Sequence, residues 1–246
     1  MQSLTQTSKA WFETPLGQYL LNLEQTYIDT VVSDIFGFNA LQLGLGEYDY
    51  LRASRISYRG RVAIEGGMEI KSTLEELPIA TASVDLVVLP HTLEFSRNPH
   101  QILREVERVL MPEGHLVLSC FNPWSLWGLK RIYSSGLTYP WNGAFINLPR
   151  LKDWLSLLGF EIKSGKMCCY VPPFSRENWI NRFAFMEKAG GRWWPFSGAV
   201  FFLQTIKRVR GMRLIMPEWK TANARKKNLA VAPQKVIDSE TALVDE

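Results

Sequence analysis

Cysteine is scarce in this 246-residue chain, with only Cys120, Cys168 and Cys169. An odd number with one adjacent pair makes no disulfide framework, and no C-x-x-C spacing or Cys/His cluster marks a zinc site. Free thiols in a reducing compartment fit this usage. Histidine is as sparse, and none of His91, His100 and His115 has a partner at metal-ligand spacing, so no metal is expected. The chain also lacks a long hydrophobic run. The longest, around Gly198 to Thr205, is far too short to span a bilayer. The opening stretch MQSLTQTSKAWFETP has no basic flank followed by an apolar core, the mark of a secretory signal. No repeat recurs. Nor does one charge dominate: 28 basic residues against 24 acidic ones leave +4, which permits an anionic ligand or a nucleic acid and demands neither. The expectation is a cytoplasmic protein with no membrane partner.

What the sequence does contain is the makeup of a packed domain, 46% hydrophobic and 21% charged. The length suits one α/β domain with decorations. It is assigned to residues 1–220, with a core over 38–120, an insertion over 121–149 and a polar, disordered tail over 221–246. Apolar residues at helical spacing (Leu20, Leu21, Tyr27, Ile28, Val31, Val32) predict a helix over Trp11 to Phe36. A short strand over Ala40 to Leu43, a glycine turn and a brief helix over Tyr48 to Ala53 follow. Arg55 to Ile64 and Met68 to Lys71 read as strands, and Val84 to Leu89 as a strand buried on both faces. Asp85, at the start of that strand, reads as an anchor for a loop. Pro99 to Leu110 is an amphipathic helix, His115 to Ser119 a strand, Arg150 to Leu158 a helix and Phe160 to Lys163 a strand. Cys168 to Arg192 reads as irregular, and Ala199 to Arg208 as the last strand. Strands alternating with helices imply a mostly parallel sheet covered on both faces.

The stretch Leu41 to Leu51 reads LQLGLGEYDYL. Gly44 and Gly46 let the backbone bend tightly and let a ligand approach without a Cβ in the way. A strand-to-helix turn also aims main-chain N–H groups at whatever sits above it. Any sharp turn of this kind wants glycine, so the pair alone leaves a structural and a ligand-binding reading open.

The order downstream is more telling. Thr73-Leu74-Glu75-Glu76-Leu77-Pro78 precedes Ser83-Val84-Asp85-Leu86-Val87-Val88. His91-Thr92-Leu93-Glu94-Phe95 follows, then LREVERVLMPEG over Leu103 to Gly114 and the strand HLVLS. This succession resembles the class I S-adenosylmethionine-dependent methyltransferases, in particular the type 11-like group that methylates quinones and other small molecules. DWLSLLGFEI (Asp153 to Ile162) and CFNPWSLWGLKR (Cys120 to Arg131) resemble a proteobacterial branch of that family. The resemblance covers about residues 40 to 120. It implies a three-layer, Rossmann-like fold with seven strands in a mostly parallel sheet and an aromatic-rich insertion after strand five. It also implies S-adenosylmethionine as cofactor, bound at the carboxyl ends of the strands beside the topological switch point. Carried over residue by residue, Gln42, Leu43, Gly44, Leu45, Gly46 and Glu47 line the methionine part. Thr73 and Leu74 face the adenine, and Pro90, His91 and Thr92 lie beneath the cofactor toward the substrate. His91 is the candidate general base.

The departures from the family's pattern fall on the cofactor contacts. Gln42 stands where an acid positions the methionine amino group, and Tyr48 where a third glycine is expected. The ribose acid is missing from the end of strand two. Glu65 follows Gly46 by 19 residues, near the spacing of about 20 expected of that acid, but Glu65-Gly66-Gly67 also reads as a solvent turn. Thr73 or Ser72 replaces the acid after strand three. Few residues separate Ile64 from Met68, whereas a parallel crossover needs about a dozen, so a crossover helix is lost or the strands are rearranged. Each altered contact weakens cofactor binding by about 1–2 kcal/mol.

Two functions follow. The first is methyl transfer to a small or aromatic acceptor, where orientation and desolvation carry most of the barrier reduction. The second is a methyltransferase fold whose cofactor site has decayed and which acts as a binding or scaffold protein. RNA is the candidate partner of that scaffold, through the basic stripe Lys207, Arg208, Arg210, Arg213, Lys220 and Arg225-Lys226-Lys227. A solvated flank explains the same stripe. Trp124, Trp127, Tyr133, Tyr139 and Trp141 form either a substrate lid or a local core. An open, adenosyl-sized cavity above residues 43–47 is the geometry that separates the two functions.

Overall fold

The computed structural model describes residues 4–63, 70–134, 138–174 and 176–209. At the N-terminus the expected single helix is two, α1 (Leu4–Phe12) and α2 (Pro15–Ser33). Thr14 causes the break: its Oγ1 accepts from Gly17 N at 3.2 Å, and Pro15 takes the first helical position, where no N–H is needed. The chain then enters β1 (Asn39–Leu43), β2 (Tyr58–Ala63), β3 (Ile70–Lys71) and β4 (Val84–Pro90). α3 (Pro99–Val109) leads to β5 (Leu110–Phe121), and α4 (Leu126–Tyr133) lies within the aromatic insertion. α5 (Leu148–Leu157), β6 (Phe160–Cys168), α6 (Glu177–Phe183), α7 (Phe185–Trp193) and β7 (Val200–Lys207) complete the described residues.

The seven strands lie in the order β3-β2-β1-β4-β5-β7-β6. β7 runs antiparallel to both β5 and β6, and the other pairings are parallel. β6 carries an irregularity between Ile162 and Ser164. Alternate residues of the central strands feed two cores. Leu86, Val88, Val117 and Phe202 join α2 and Trp127 on one face, and Val87, Leu89, Leu118 and Leu203 join α3 and α5 on the other. This is the three-layer, seven-stranded, mostly parallel architecture expected.

Three sequence readings are corrected. Tyr48 to Ala53 forms successive turns and no helix. Cys168 to Arg192, read as irregular, contains α6 and α7. Of the choices left between strands two and three, the strands keep their parallel order. Among the described residues β3 pairs with β2 through Val62↔Ile70 and Ala63↔Lys71. Residues 64–69, which include Glu65, and the expected tail over 221–246 lie outside the described residues.

The strand order reverses between β1 and β4, and the start of β4 is locked to the start of β1. Asp85 Oδ2 accepts from Phe38 N at 2.8 Å and from Asn39 N at 2.9 Å, as its reading as a loop anchor required. Both bonds are to a charged acceptor. Asp85→Ala is expected to lower stability by about 2–3 kcal/mol, read as a shift of the urea midpoint at constant m.

Candidate active site

The loop after β1 is built on an amide. The Gln42 side chain is fully buried, and its Nε2 donates to the carbonyls of Gly44 (3.1 Å), Leu45 (3.1 Å) and Tyr48 (2.8 Å). Its Oε1 accepts from Tyr50 N at 2.9 Å. Without a helix after the turn, these carbonyls have no helical partners, and the glutamine amide satisfies them. A carboxylate here would face three oxygens. Gly44 (φ 88°) and Leu45 (φ 41°) both take left-handed conformations. A Cβ on Gly44 would come within 2.5 Å of Thr92 Oγ1, which donates to Leu43 O at 2.6 Å and so binds the end of β1 to the end of β4.

Above this loop, at the carboxyl ends of β1 and β4, lies a cavity of about 530 Å³. Gly44, Leu45, Gly46 and Glu47 form one side, and Thr73, Leu74 and Glu75 after β3 form another. His91, Thr92, Phe95 and Arg97 come from beyond β4, Ser8 from α1 and Tyr139 from the insertion. Of the residues expected at the site, Gly44, Leu45, Gly46, Glu47, Thr73, Leu74, His91 and Thr92 meet here. Gln42, Leu43 and Pro90 do not line the cavity; they are buried beneath it. The Tyr48 ring packs on Phe12 at 5.1 Å and is not among the lining residues.

His91 sits in an unexpected setting. Its Nε2 is bonded to Glu24 Oε1, its Nδ1 lies 3.2 Å from Glu94 Oε1, and all three side chains are wholly buried. The ring stacks on Phe121 at 4.0 Å. Tyr50 donates to Glu24 Oε2 at 2.9 Å, and Phe121 N donates to Glu94 Oε1 at 2.6 Å. Burial pulls the imidazole pKa down, but Glu24 and then Glu94 outweigh it and push it up to about 10. An imidazolium with both nitrogens engaged has no lone pair to offer at neutral pH. This corrects the reading of His91 as a general base.

Sequence reasoning missed Glu24 and Glu75. Glu24 had a signal, an acid on the apolar stripe of α2 between Leu20 and Ile28. The Tyr139 ring stacks on Phe95 at 4.7 Å, and its buried hydroxyl makes no hydrogen bond among the described residues. Burial, helped by Glu24 and Glu94, raises its pKa well above the ordinary phenol value, so it stays a donor. Tyr139 also lines a second hollow of about 420 Å³ with Trp11, Lys130 and Trp141. The insertion is thus both core, through Trp127, Tyr139 and Trp141, and cavity wall, through Tyr139.

Two outcomes test this arrangement. Gln42→Glu, which restores the family's acid, is expected to destabilise the fold by about 2–4 kcal/mol, read by urea unfolding. The second concerns pH. His91 is protonated in the folded chain up to about pH 10 and in the unfolded chain only up to about 6.5. Its contribution is complete below about pH 6.5 and is lost as pH rises through about 10. The urea midpoint should therefore fall across that window, and Glu24→Gln should move the end of the fall to lower pH.

Comparison with known proteins agrees with this geometry. The family described as "Methyltransferase domain" matches residues 51–118. Over 155 residues the chain is 34% identical to the protein YafS of Escherichia coli (strain K12), covering 62% of this chain and 65% of that one. Over 122 residues it is 27% identical to the malonyl-(acyl-carrier protein) O-methyltransferase of Methylovorus sp. (strain MP688), covering 50% of this chain and 41% of that one. The chain thus spans less than two thirds of the length of either curated relative. A Thermotoga maritima S-adenosylmethionine-dependent methyltransferase, described as a possible histamine N-methyltransferase, superposes with a TM-score of 0.60 at 17% identity over 81% of this chain and 94% of that one. With its strand order and its glycine turn at the switch point, the chain has the fold of the S-adenosylmethionine-dependent methyltransferases, and its residues 51–118 match the methyltransferase domain family.

Proposed function

We propose that the chain binds S-adenosylmethionine in the cavity above Gly44–Glu47 and transfers its methyl group to a small acceptor with an apolar or aromatic body. The observation that carries this reading is the cavity itself. Its volume of about 530 Å³ lies inside the range of roughly 300–1,000 Å³ typical of small-molecule sites, and Gly44, Leu45, Gly46 and Glu47 all line it.

The lining fits a charged nucleoside. Glu47 and Glu75 bring two carboxylates to the wall, where the family's motif acids are missing from the sequence, and Tyr139 brings an unused donor. The cofactor supplies an electrophilic methyl on a sulfonium. The chain supplies position: Gly44 leaves room for the Thr92 side chain, Thr92 fixes the two strand ends, and the stacked rings of Phe95 and Tyr139 wall the cavity against water. No basic side chain is assigned to the acceptor's proton. The reading therefore favours an acceptor that is already nucleophilic at neutral pH.

The scaffold reading draws on the missing helix after β1 and the uncharged Gln42. Gln42, however, is fully occupied in holding the loop and does not block the cavity. Of the basic stripe, Lys207 pairs with Glu107, and Arg208 pairs with Glu113 and Glu161. The remaining members lie outside the described residues.

Calorimetric titration with S-adenosylmethionine and S-adenosylhomocysteine tests the proposal. Binding in the micromolar range is expected, abolished by Gly44→Val and weakened about tenfold by Glu75→Ala. The absence of heat up to millimolar ligand overturns it.

A further inference from the structure

The outward side of α4 is apolar along its whole length. Leu126, Leu129, Ile132 and Tyr133 are 45%, 49%, 74% and 83% exposed, and Trp124 just before the helix is 74% exposed. The inward side is used normally: Trp127 is buried, and its Nε1 donates to Val171 O at 2.9 Å. Lys130 Nζ donates to Pro173 O at 2.7 Å and ties α4 to the segment entering α6. There the rings of Phe174, Trp179 and Phe183 lie within 5.9 Å of one another, and Phe185 is 6.4 Å from Phe183. Trp193, Trp194 and Phe196 extend the exposed aromatics past the end of α7. A group of this size exceeds the scattered apolar residues ordinary on a surface and marks a contact face.

Charge selects the occupant. Arg176, Arg182, Lys188 and Arg192 are exposed among these rings, with Arg182 lying 5.8 Å over Trp179. Two acids share the segment, Glu177 and Glu187, and Glu187 is engaged by the main-chain N–H groups of Cys169 and Tyr170. No Asp or Glu occurs between Glu113 and Asp153, so α4 and its flanks carry only positive charge. A second copy seated on this face would set like cations against one another. Aromatics and cations mixed in this way, with acids kept apart, suit the interface of a negatively charged bilayer. No helix among the described residues is long and apolar enough to cross a membrane, so the contact lies on the surface. The sequence expectation of no membrane partner considered spanning and secretory segments and does not address such a contact.

We propose that α4, α6 and α7 form a docking face for an anionic lipid surface, with the aromatic and aliphatic side chains at headgroup depth and the four cations against lipid phosphates. Flotation of the full chain with vesicles tests this, comparing phosphatidylcholine alone with phosphatidylcholine–phosphatidylglycerol mixtures. The expected result is binding to the mixed vesicles only. Reversing two cations in Arg182→Glu/Arg192→Glu should weaken it by about tenfold or more. Leu129→Asp/Ile132→Asp should abolish it without moving the thermal midpoint, since both side chains face solvent. Trp193→Ala/Trp194→Ala serves as a second, independent probe of the aromatic part. Three results overturn the proposal: no binding to the mixed vesicles, binding untouched by all three variants, or a dimer in sedimentation equilibrium that Leu129→Asp/Ile132→Asp converts to monomer.

Discussion

A buried charge cluster joins the N-terminal helices to the site. His91, at the end of β4, holds Glu24 of α2 with one nitrogen and Glu94 with the other, and Tyr50 and Phe121 N complete the acceptors. Such a cluster contributes little net stability over an apolar core of the same volume, but breaking it costs about 3–5 kcal/mol. Its effect is on position. It sets α2, the loop after β1 and the ends of β4 and β5 in one arrangement, and His91 accepts a left-handed φ of 43° within it.

The second constraint is the amide of Gln42. Read against the family's pattern, Gln42, Tyr48 and the absent helix look like separate losses. In three dimensions they form one substitution. Once the chain after Gly46 runs in turns, its carbonyls need a donor, and a glutamine provides one where an acid would repel. Tyr48, freed from the tight turn a third glycine would make, contributes its carbonyl to that amide and its ring to Phe12.

This explains what was legible in the sequence. The strands and the α3 and α5 helices have strong local periodicity, and they appear where expected. Asp85 was legible because its place at a strand start dictates what a carboxylate can do. His91 was placed correctly at the strand end and given the wrong chemistry, because its partner Glu24 lies 67 residues away. Pairing between distant charges leaves no local trace beyond an acid on an apolar stripe. α6 and α7 were missed because their aromatics face outward and so give no amphipathic signal of the usual sign. Glu75 is an unremarkable loop acid until the strand order brings it to the same cavity as Glu47.

The two margins of the sheet also have a consequence. Among the described residues β3 offers two for pairing, and β6 is interrupted between Ile162 and Ser164, with Lys163 and Lys166 exposed along it. Among the described residues neither rim gives a foreign strand a long unbroken row of amides to copy, which discourages accidental stacking of chains border to border.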